Sequence, residues 1–204
     1  MALDEFLREL MDQDGQEALR AFCQARVLHG TPYCFTGRED EWFQFKLEIS
    51  RFFGINHTDV FIAGSAMLGF SPVKRTDFSV ESDIDVAIVS PALFGRISDM
   101  ACELEYSMRD AQLHLPNHQF RAYIRFLRYL AIGWARPDLV PPEREIGAWK
   151  REWFDFFKSV SYERCKAGNH KVSAGAFSSY ERLERYSLNS FEKIRSTLVA
   201  EAQG

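Results

Sequence analysis

Residues 61–65 read FIAGS and residues 82–88 read SDIDVAI, and these two stretches decide the fold class. The first completes a short apolar run with polar neighbours on both sides, which predicts a buried strand over residues 59–63. The second carries β-branched residues that alternate with acidic ones at its start, which predicts another strand over residues 83–89. The glycine, proline, threonine and serine residues between the strands predict a loop over residues 69–82.

The positions where these strands meet the loop carry the chemistry. Gly64 lets the backbone come close to a phosphate, and Ser65 offers a hydroxyl and an exposed N–H at the start of a short helical turn. Asp83 and Asp85 are two residues apart on a strand, so their side chains point to the same face. Two carboxylates this close repel each other, which makes chemical sense if divalent cations bridge them, and Mg²⁺ pairs held ~3.5–4 Å apart commonly serve phosphoryl or nucleotidyl transfer. Lys74, in the loop beside this site, either contacts phosphates or only adds to solubility.

This combination resembles the DNA polymerase β-like nucleotidyltransferase superfamily, whose mark is Gly-Ser or Gly-Gly after one strand and Asp-x-Asp on the next. The resemblance covers residues 61–88. It implies a nucleotidyltransferase that moves an NMP group from an NTP to an acceptor hydroxyl by two-metal catalysis, with release of pyrophosphate. It also implies that Gly64 and Ser65 hold the triphosphate, while Asp83 and Asp85 bind Mg²⁺ or Mn²⁺.

The chain departs from the superfamily pattern in two respects. The 17 residues between Ser65 and Asp83 exceed the usual gap, and a surface loop tolerates such an enlargement. Members usually carry a third carboxylate on a later strand, as metal ligand or as base, but the third predicted strand, residues 171–177, contains no Asp or Glu. Acidic residues that could fold back over the site are Glu103, Glu105 and Asp138.

Because the third predicted strand has no carboxylate, a second interpretation of the function stays open. In it, the protein is a catalytically silent relative that binds a nucleotide or a protein partner. A third interpretation, a helical interaction module with a chance Asp-x-Asp, would leave the Gly64–Ser65 pair unexplained.

Helical spacing of apolar residues covers most of the remaining chain. It predicts helices over residues 3–28 with a break at Gly15, 36–53, 98–113, 118–135, 143–160 and 179–202. The sequence therefore predicts an α+β fold, a small mixed sheet flanked by helices, with a largely helical C-terminal half. We expect a single domain over residues 1–204, with N-terminal helices (about 1–55), a catalytic core (about 56–115) and a helical C-terminal part (about 116–204).

The amino-acid composition limits the classes of binding partner that we expect. With 25 basic and 29 acidic residues the net charge is −4 at pH 7, so binding of long nucleic acid is not expected, and the acceptor is sought among small molecules, nucleotides, proteins and tRNA. No run approaches the roughly 18 apolar residues of a membrane span, and the opening MALDE is no signal peptide, so we expect a cytoplasmic protein without a membrane partner. Four scattered cysteines without a Cys-x-x-Cys pair predict buried free thiols.

Overall fold

Residues 2–203 are described by a computed structural model, and they form an α+β fold, which confirms the predicted fold class. The strands are β1 (Val60–Ala63), β2 (Phe70–Ser71), β3 (Thr76–Asp77), β4 (Ile84–Val89), β5 (Trp134–Ala135) and β6 (Val172–Phe177). The α-helices are α1 (Leu3–Met11), α2 (Gly15–Cys23), α3 (Glu39–Phe53), α4 (Ser65–Leu68), α5 (Pro91–Arg109), α6 (Asn117–Ala131), α7 (Arg144–Ser159) and α8 (Tyr180–Gln203). A π-helical segment spans Gln24–Leu28, and 3-10 turns span Tyr33–Phe35, His57–Asp59 and Pro137–Leu139.

The central sheet is mixed and has the strand order β1-β4-β6-β5. Strand β4 runs antiparallel to β1 and parallel to β6, and β5 pairs antiparallel with the other edge of β6. Two parallel neighbours need a long crossover connection, and the chain between β4 and β6 supplies it with α5, α6, β5 and α7. Strands β2 and β3 form a separate two-stranded ribbon.

The side chains of β4 alternate between two hydrophobic cores. Its even-numbered residues point into the larger core, which includes residues of α3, α5, α6 and α7. Its odd-numbered residues point to the opposite face, where Ala87 and Val89 pack with α1, α2 and α8 in the smaller core. Asp83 and Asp85 share this second face by alternation, but both are exposed. This second face of the sheet is therefore buried at Ala87 and Val89 and open to solvent at Asp83 and Asp85.

Two predicted helix starts differ from the structure by more than one residue. Helix α3 begins at Glu39 rather than at residue 36, because a 3-10 turn comes just before it and Gly37 adopts a φ of +71°. Helix α5 begins at Pro91, seven residues before the predicted start at residue 98. Ser90 caps this helix, since its side chain accepts a hydrogen bond of 3.2 Å from the backbone N–H of Leu93.

Two short strand pairs were missed. The predicted helix over residues 118–135 ends at Ala131, and Trp134–Ala135 forms β5 instead, paired with Phe177 and Ala176. The predicted loop over residues 69–82 contains the ribbon of β2 and β3. Strands of two residues are too short to show a period-2 pattern, so the sequence carries no signal for them.

The prediction that the cysteines are buried free thiols is confirmed for Cys23, Cys34 and Cys165, whereas Cys102 is exposed on α5. Within residues 2–203, no helix combines the length and the apolar character that a membrane crossing requires.

Candidate functional site

The turn after β1 is built around Gly64. Its φ of +67° and ψ of −147° belong to a region that glycine adopts readily and other residues do not. Its carbonyl accepts hydrogen bonds of 3.2 Å from the N–H groups of Met67 and Leu68, which begin helix α4. A Cβ built on Gly64 would lie 3.5 Å from Oδ2 of Asp85. The glycine backbone and the second aspartate of the Asp-x-Asp stretch are thus direct neighbours.

Strand register explains how the three strands meet at Asp85. Ala63 of β1 pairs with Asp85 on one side, and Ser173 of β6 pairs with it on the other. The Ser173 hydroxyl donates a hydrogen bond of 2.9 Å to Asp85 Oδ1. The third predicted strand therefore exists and borders the site, and it presents a serine where it is level with Asp85.

Asp83 is paired in a similar way by the residue just before β6. Lys171 Nζ lies 3.0 Å from Asp83 Oδ2. The Lys171 carbonyl accepts a backbone hydrogen bond of 2.8 Å from Ile84, so the main chains of the two residues are held together as well. The hydrogen bond to Asp83 raises the pKa of Lys171, and partial burial acts against that rise. Lys171 is therefore positively charged at neutral pH, beside the carboxylate pair.

Asp85 lies in a setting that disfavours its charge. Although solvent reaches the residue, the surrounding protein displaces enough water to raise its pKa above the usual value. The hydrogen bond from Ser173 lowers the pKa, the negative charge of Asp83 raises it again, and the charges of Lys171 and Lys74 lower it. The net result is a raised pKa, which means that a cation arriving at this carboxylate would relieve an unfavourable charge.

A cavity of about 790 Å³ adjoins this site. Its wall includes Gly64, Asp85, Lys171 and Ser173, and it takes in side chains on both faces of the sheet, so only part of the volume lies beside Asp85. The other predicted site residues, Ser65, Lys74 and Asp83, are not part of the wall. Asp83 is bound by Lys171, which lines the cavity, and Lys74 directly follows Val73, which also lines it.

Another part of the cavity wall is aromatic, and the sequence analysis did not identify it. The Trp134 ring lies parallel to that of Phe177 with centroids 5.6 Å apart, and Tyr186 of α8 packs on it at 4.6 Å. A Cβ on Gly175 would come within 2.4 Å of Trp134 Nε1, so only glycine at that position lets the indole lie this close to β6. A glycine inside a strand pattern is the signal that could have pointed to such a close approach.

None of the three acidic candidates joins the aspartate pair. Asp138 lines the cavity, but Arg136 binds both of its carboxylate oxygens, with Nε–Oδ1 and Nη2–Oδ2 distances of 3.2 and 2.8 Å. Glu103 and Glu105 lie on α5, whose buried residues pack in the larger core on the other side of the sheet. Among residues 2–203, no group of three or more His, Cys, Asp or Glu side chains is placed to hold a metal ion.

The donor set nevertheless fits a single hard cation. Of the four carboxylate oxygens, Lys171 binds Asp83 Oδ2 and Ser173 binds Asp85 Oδ1, which leaves Asp83 Oδ1 and Asp85 Oδ2 for another ligand. Mg²⁺ is typically held by one or two carboxylates together with substrate phosphates and water. The arrangement can therefore accept one Mg²⁺ that arrives with a polyphosphate.

Comparison with protein-family models, with curated proteins and with solved structures gives no match for this chain. The resemblance to nucleotidyltransferases therefore rests on the sequence motif of residues 61–88 alone.

Proposed function

We propose that this protein binds a nucleoside triphosphate with Mg²⁺ at the site formed by Gly64, Asp83 and Asp85, as a nucleotidyltransferase does. The observation that carries the proposal is that the Gly64 turn lies beside Asp85: a Cβ at Gly64 would be 3.5 Å from Asp85 Oδ2, and glycine leaves that space open. A phosphate can approach such a backbone closely while a cation on Asp85 neutralises it.

The neighbouring groups suit a triphosphate. The N–H group of Ser65, a half-buried residue directly after Gly64, has no partner inside α4 and can donate to a phosphate oxygen, whereas Ala66 is buried. Lys74 is exposed in the adjacent ribbon and contributes positive charge at the same site. Gly64 and Asp85 both line the cavity, so a ligand between them would have open space next to it. When bound, Mg²⁺ would supply charge neutralisation of the phosphates.

Binding can be tested by calorimetric titration with non-hydrolysable analogues of the four common NTPs, with and without Mg²⁺. The double variant Asp83→Asn/Asp85→Asn keeps the side-chain volumes and removes both charges, and we expect it to lose the Mg²⁺-dependent part of binding. Asp99→Asn is the matched control, because Asp99 is an exposed acid on α5. Equal Mg²⁺-dependent affinity in the wild type and the double variant, or no binding of any analogue, would refute the proposal.

The reaction that the resemblance implies is nucleotidyl transfer. An acceptor hydroxyl oxygen would attack the α-phosphorus, its proton would pass to a base, and the bond from the α-phosphorus to pyrophosphate would break. We propose this reaction as the activity of the bound nucleotide, with an acceptor of unassigned class. Pyrophosphate release that requires an acceptor pool (tRNA, protein or nucleotides) and disappears in Asp85→Asn would support it.

A specific observation favours the second candidate, a catalytically silent nucleotide-binding protein. The positions of the third strand that border Asp83 and Asp85 hold Lys171 and Ser173, so no carboxylate is at hand there to act as base or as a further metal ligand. In that case the wild type would bind the nucleotide with Mg²⁺, yet the nucleotide would remain intact through long incubation with each acceptor pool. The same pyrophosphate assay therefore decides between the two candidates.

A further inference from the structure

We infer that the ammonium group of Lys171 takes the place of a second metal ion, so that the site binds one divalent cation per nucleotide instead of the pair that the resemblance implies. This inference rests on the proposed nucleotide binding. It concerns two residues to which sequence reasoning gave no role, Lys171 and Ser173.

The position of Lys171 is fixed by the sheet rather than by a chance surface contact. The Lys171 carbonyl accepts a backbone hydrogen bond from the N–H of Ile84. Lys171 directly precedes Val172, which pairs with Ile84 where the parallel pairing of β4 and β6 begins. With the backbone held there, the side chain brings Nζ to 3.0 Å from Asp83 Oδ2. The side chains of Lys171 and Asp83 retain 53% and 44% of their exposure, so a ligand can reach the pair.

Ser173 competes with a metal ion for one oxygen of Asp85. Its hydroxyl donates to Asp85 Oδ1, so on each aspartate one oxygen already accepts a hydrogen bond from the protein and the other does not. The ions of a metal pair lie ~3.5–4 Å apart, close enough for one carboxylate to contact both. Here a second ion would have to compete with an ammonium group at Asp83 and with a hydroxyl at Asp85.

Charge leads to the same conclusion. Two carboxylates and one ammonium group give the site a formal charge of −1 instead of the −2 of the carboxylates alone, so the protein attracts a second divalent cation to the bound nucleotide less strongly than an unpaired aspartate pair would. Lys171 Nζ is within hydrogen-bond distance of Asp83, so any ion on that carboxylate is close to a fixed positive charge. The ammonium group is also exposed enough to contact phosphate oxygens directly. Lys171 thus supplies positive charge to the triphosphate without a second ion.

Equilibrium dialysis measures the stoichiometry directly, with Mn²⁺ and a saturating non-hydrolysable NTP analogue present on both sides of the membrane. For the wild type we expect one Mn²⁺ per bound nucleotide. The double variant Lys171→Met/Ser173→Asp keeps the aliphatic length of the lysine and adds a carboxylate level with Asp85, and we expect it to bind a second Mn²⁺.

The single variant Lys171→Met gives a second readout that does not depend on the double variant folding. Without nucleotide it should bind Mn²⁺ about tenfold more tightly than the wild type, because a unit charge about 5 Å from a divalent ion repels it even in water. Without metal it should bind the nucleotide more weakly, because a phosphate contact is lost. A merely structural role for Lys171 would not move these two affinities in opposite directions.

Lys166→Met is the matched control, because Lys166 also forms an exposed ion pair, 3.3 Å from Glu48, away from the cavity wall. It should leave the stoichiometry and both affinities unchanged. Two Mn²⁺ per nucleotide in the wild type would overturn the inference while nucleotide binding stands. Unchanged affinities in Lys171→Met would also overturn it, and an absence of Mn²⁺-dependent nucleotide binding would overturn the proposed function as well.

Discussion

Gly64→Ala tests whether the Gly-Ser turn is held in a conformation that only glycine adopts without strain. With φ at +67° and ψ at −147°, the alanine variant must either carry a strained backbone or rebuild the turn. Residues held in such regions cost about 1–3 kcal/mol each. Steric overlap adds little, because the new Cβ would lie 3.5 Å from Asp85 Oδ2, an ordinary van der Waals distance. The expected loss of stability therefore comes from the backbone.

The assay is urea unfolding followed by circular dichroism, with thermal melting as a second measurement. For a chain of this length, about 1–3 kcal/mol corresponds to a fall in melting temperature of about 2–12 °C. Gly95→Ala is the control, because Gly95 lies inside α5, has no positive φ, and has nothing within 4 Å of a built Cβ. It should stabilise the protein by about 0.5–1 kcal/mol.

The reasoning predicts opposite signs for the same chemical change at two glycines. A Gly64→Ala variant as stable as the wild type would show that the turn relaxes without cost, and the claim that this position requires glycine would fail. A loss in both variants would point to a general intolerance of added methyl groups.

Three further predictions concern charge and packing. The pKa of Asp85 is higher in the folded protein than in the unfolded chain, so the unfolded chain loses this proton at a lower pH. The free energy of unfolding therefore falls as the pH rises from the unfolded pKa through the folded pKa. Asp85→Asn should raise the melting temperature at pH 7 and change it little at about pH 3. Arg20→Ala should destabilise the protein by about 1–3 kcal/mol in urea unfolding, because Glu184 is only 6% exposed and loses the guanidinium 3.2 Å from its Oε2. Gly175→Ala should cost about 1–3 kcal/mol and alter tryptophan fluorescence, since the added Cβ would lie 2.4 Å from Trp134 Nε1.

Matched variants separate these effects from general ones. Asp99→Asn removes an exposed acid on α5 and should leave the melting temperature at pH 7 unchanged. Arg26→Ala breaks a surface pair, 2.9 Å from Glu9, and should cost about 0–1 kcal/mol. If Arg20→Ala cost no more than Arg26→Ala, the carboxylate of Glu184 would not depend on Arg20, and the hydrogen bond from Gln24 to its Oε1 (2.6 Å) would be sufficient. Unchanged fluorescence in Gly175→Ala would contradict the close approach of Trp134 to β6.

Local patterns in the sequence predicted the parts of the fold that depend on local physics. The strands β1, β4 and β6 are rich in apolar and small residues with turn residues at their ends, and each was predicted within two residues of its observed bounds. The start of α5 was misplaced because Ser90 and Pro91 are a cap and a first helical residue, a signal that apolar spacing alone does not contain. The two-residue strands β2, β3 and β5 exist through their partners and not through their own sequence.

The aspartates and Gly64 could be predicted as a site because they are close in sequence, whereas their partners could not. Lys171 and Ser173 are each 88 residues away from the aspartate they bind. Their role depends on the parallel register of β4 and β6, and a shift of one residue would turn both side chains to the opposite face. The sequence of the third strand shows that it lacks a carboxylate, but only the register shows what stands in its place.

The same register also joins the site to the aromatic wall. Asp85 pairs with Ser173, and two residues further along the same face Ala87 pairs with Gly175. This second pair is small, so the Trp134 ring can lie against Gly175, and its edge comes next to the strand that carries Ser173. Any side chain larger than glycine there would push the indole away from β6. Gly175 therefore helps to shape the cavity wall, of which Trp134 and Asp85 are both part.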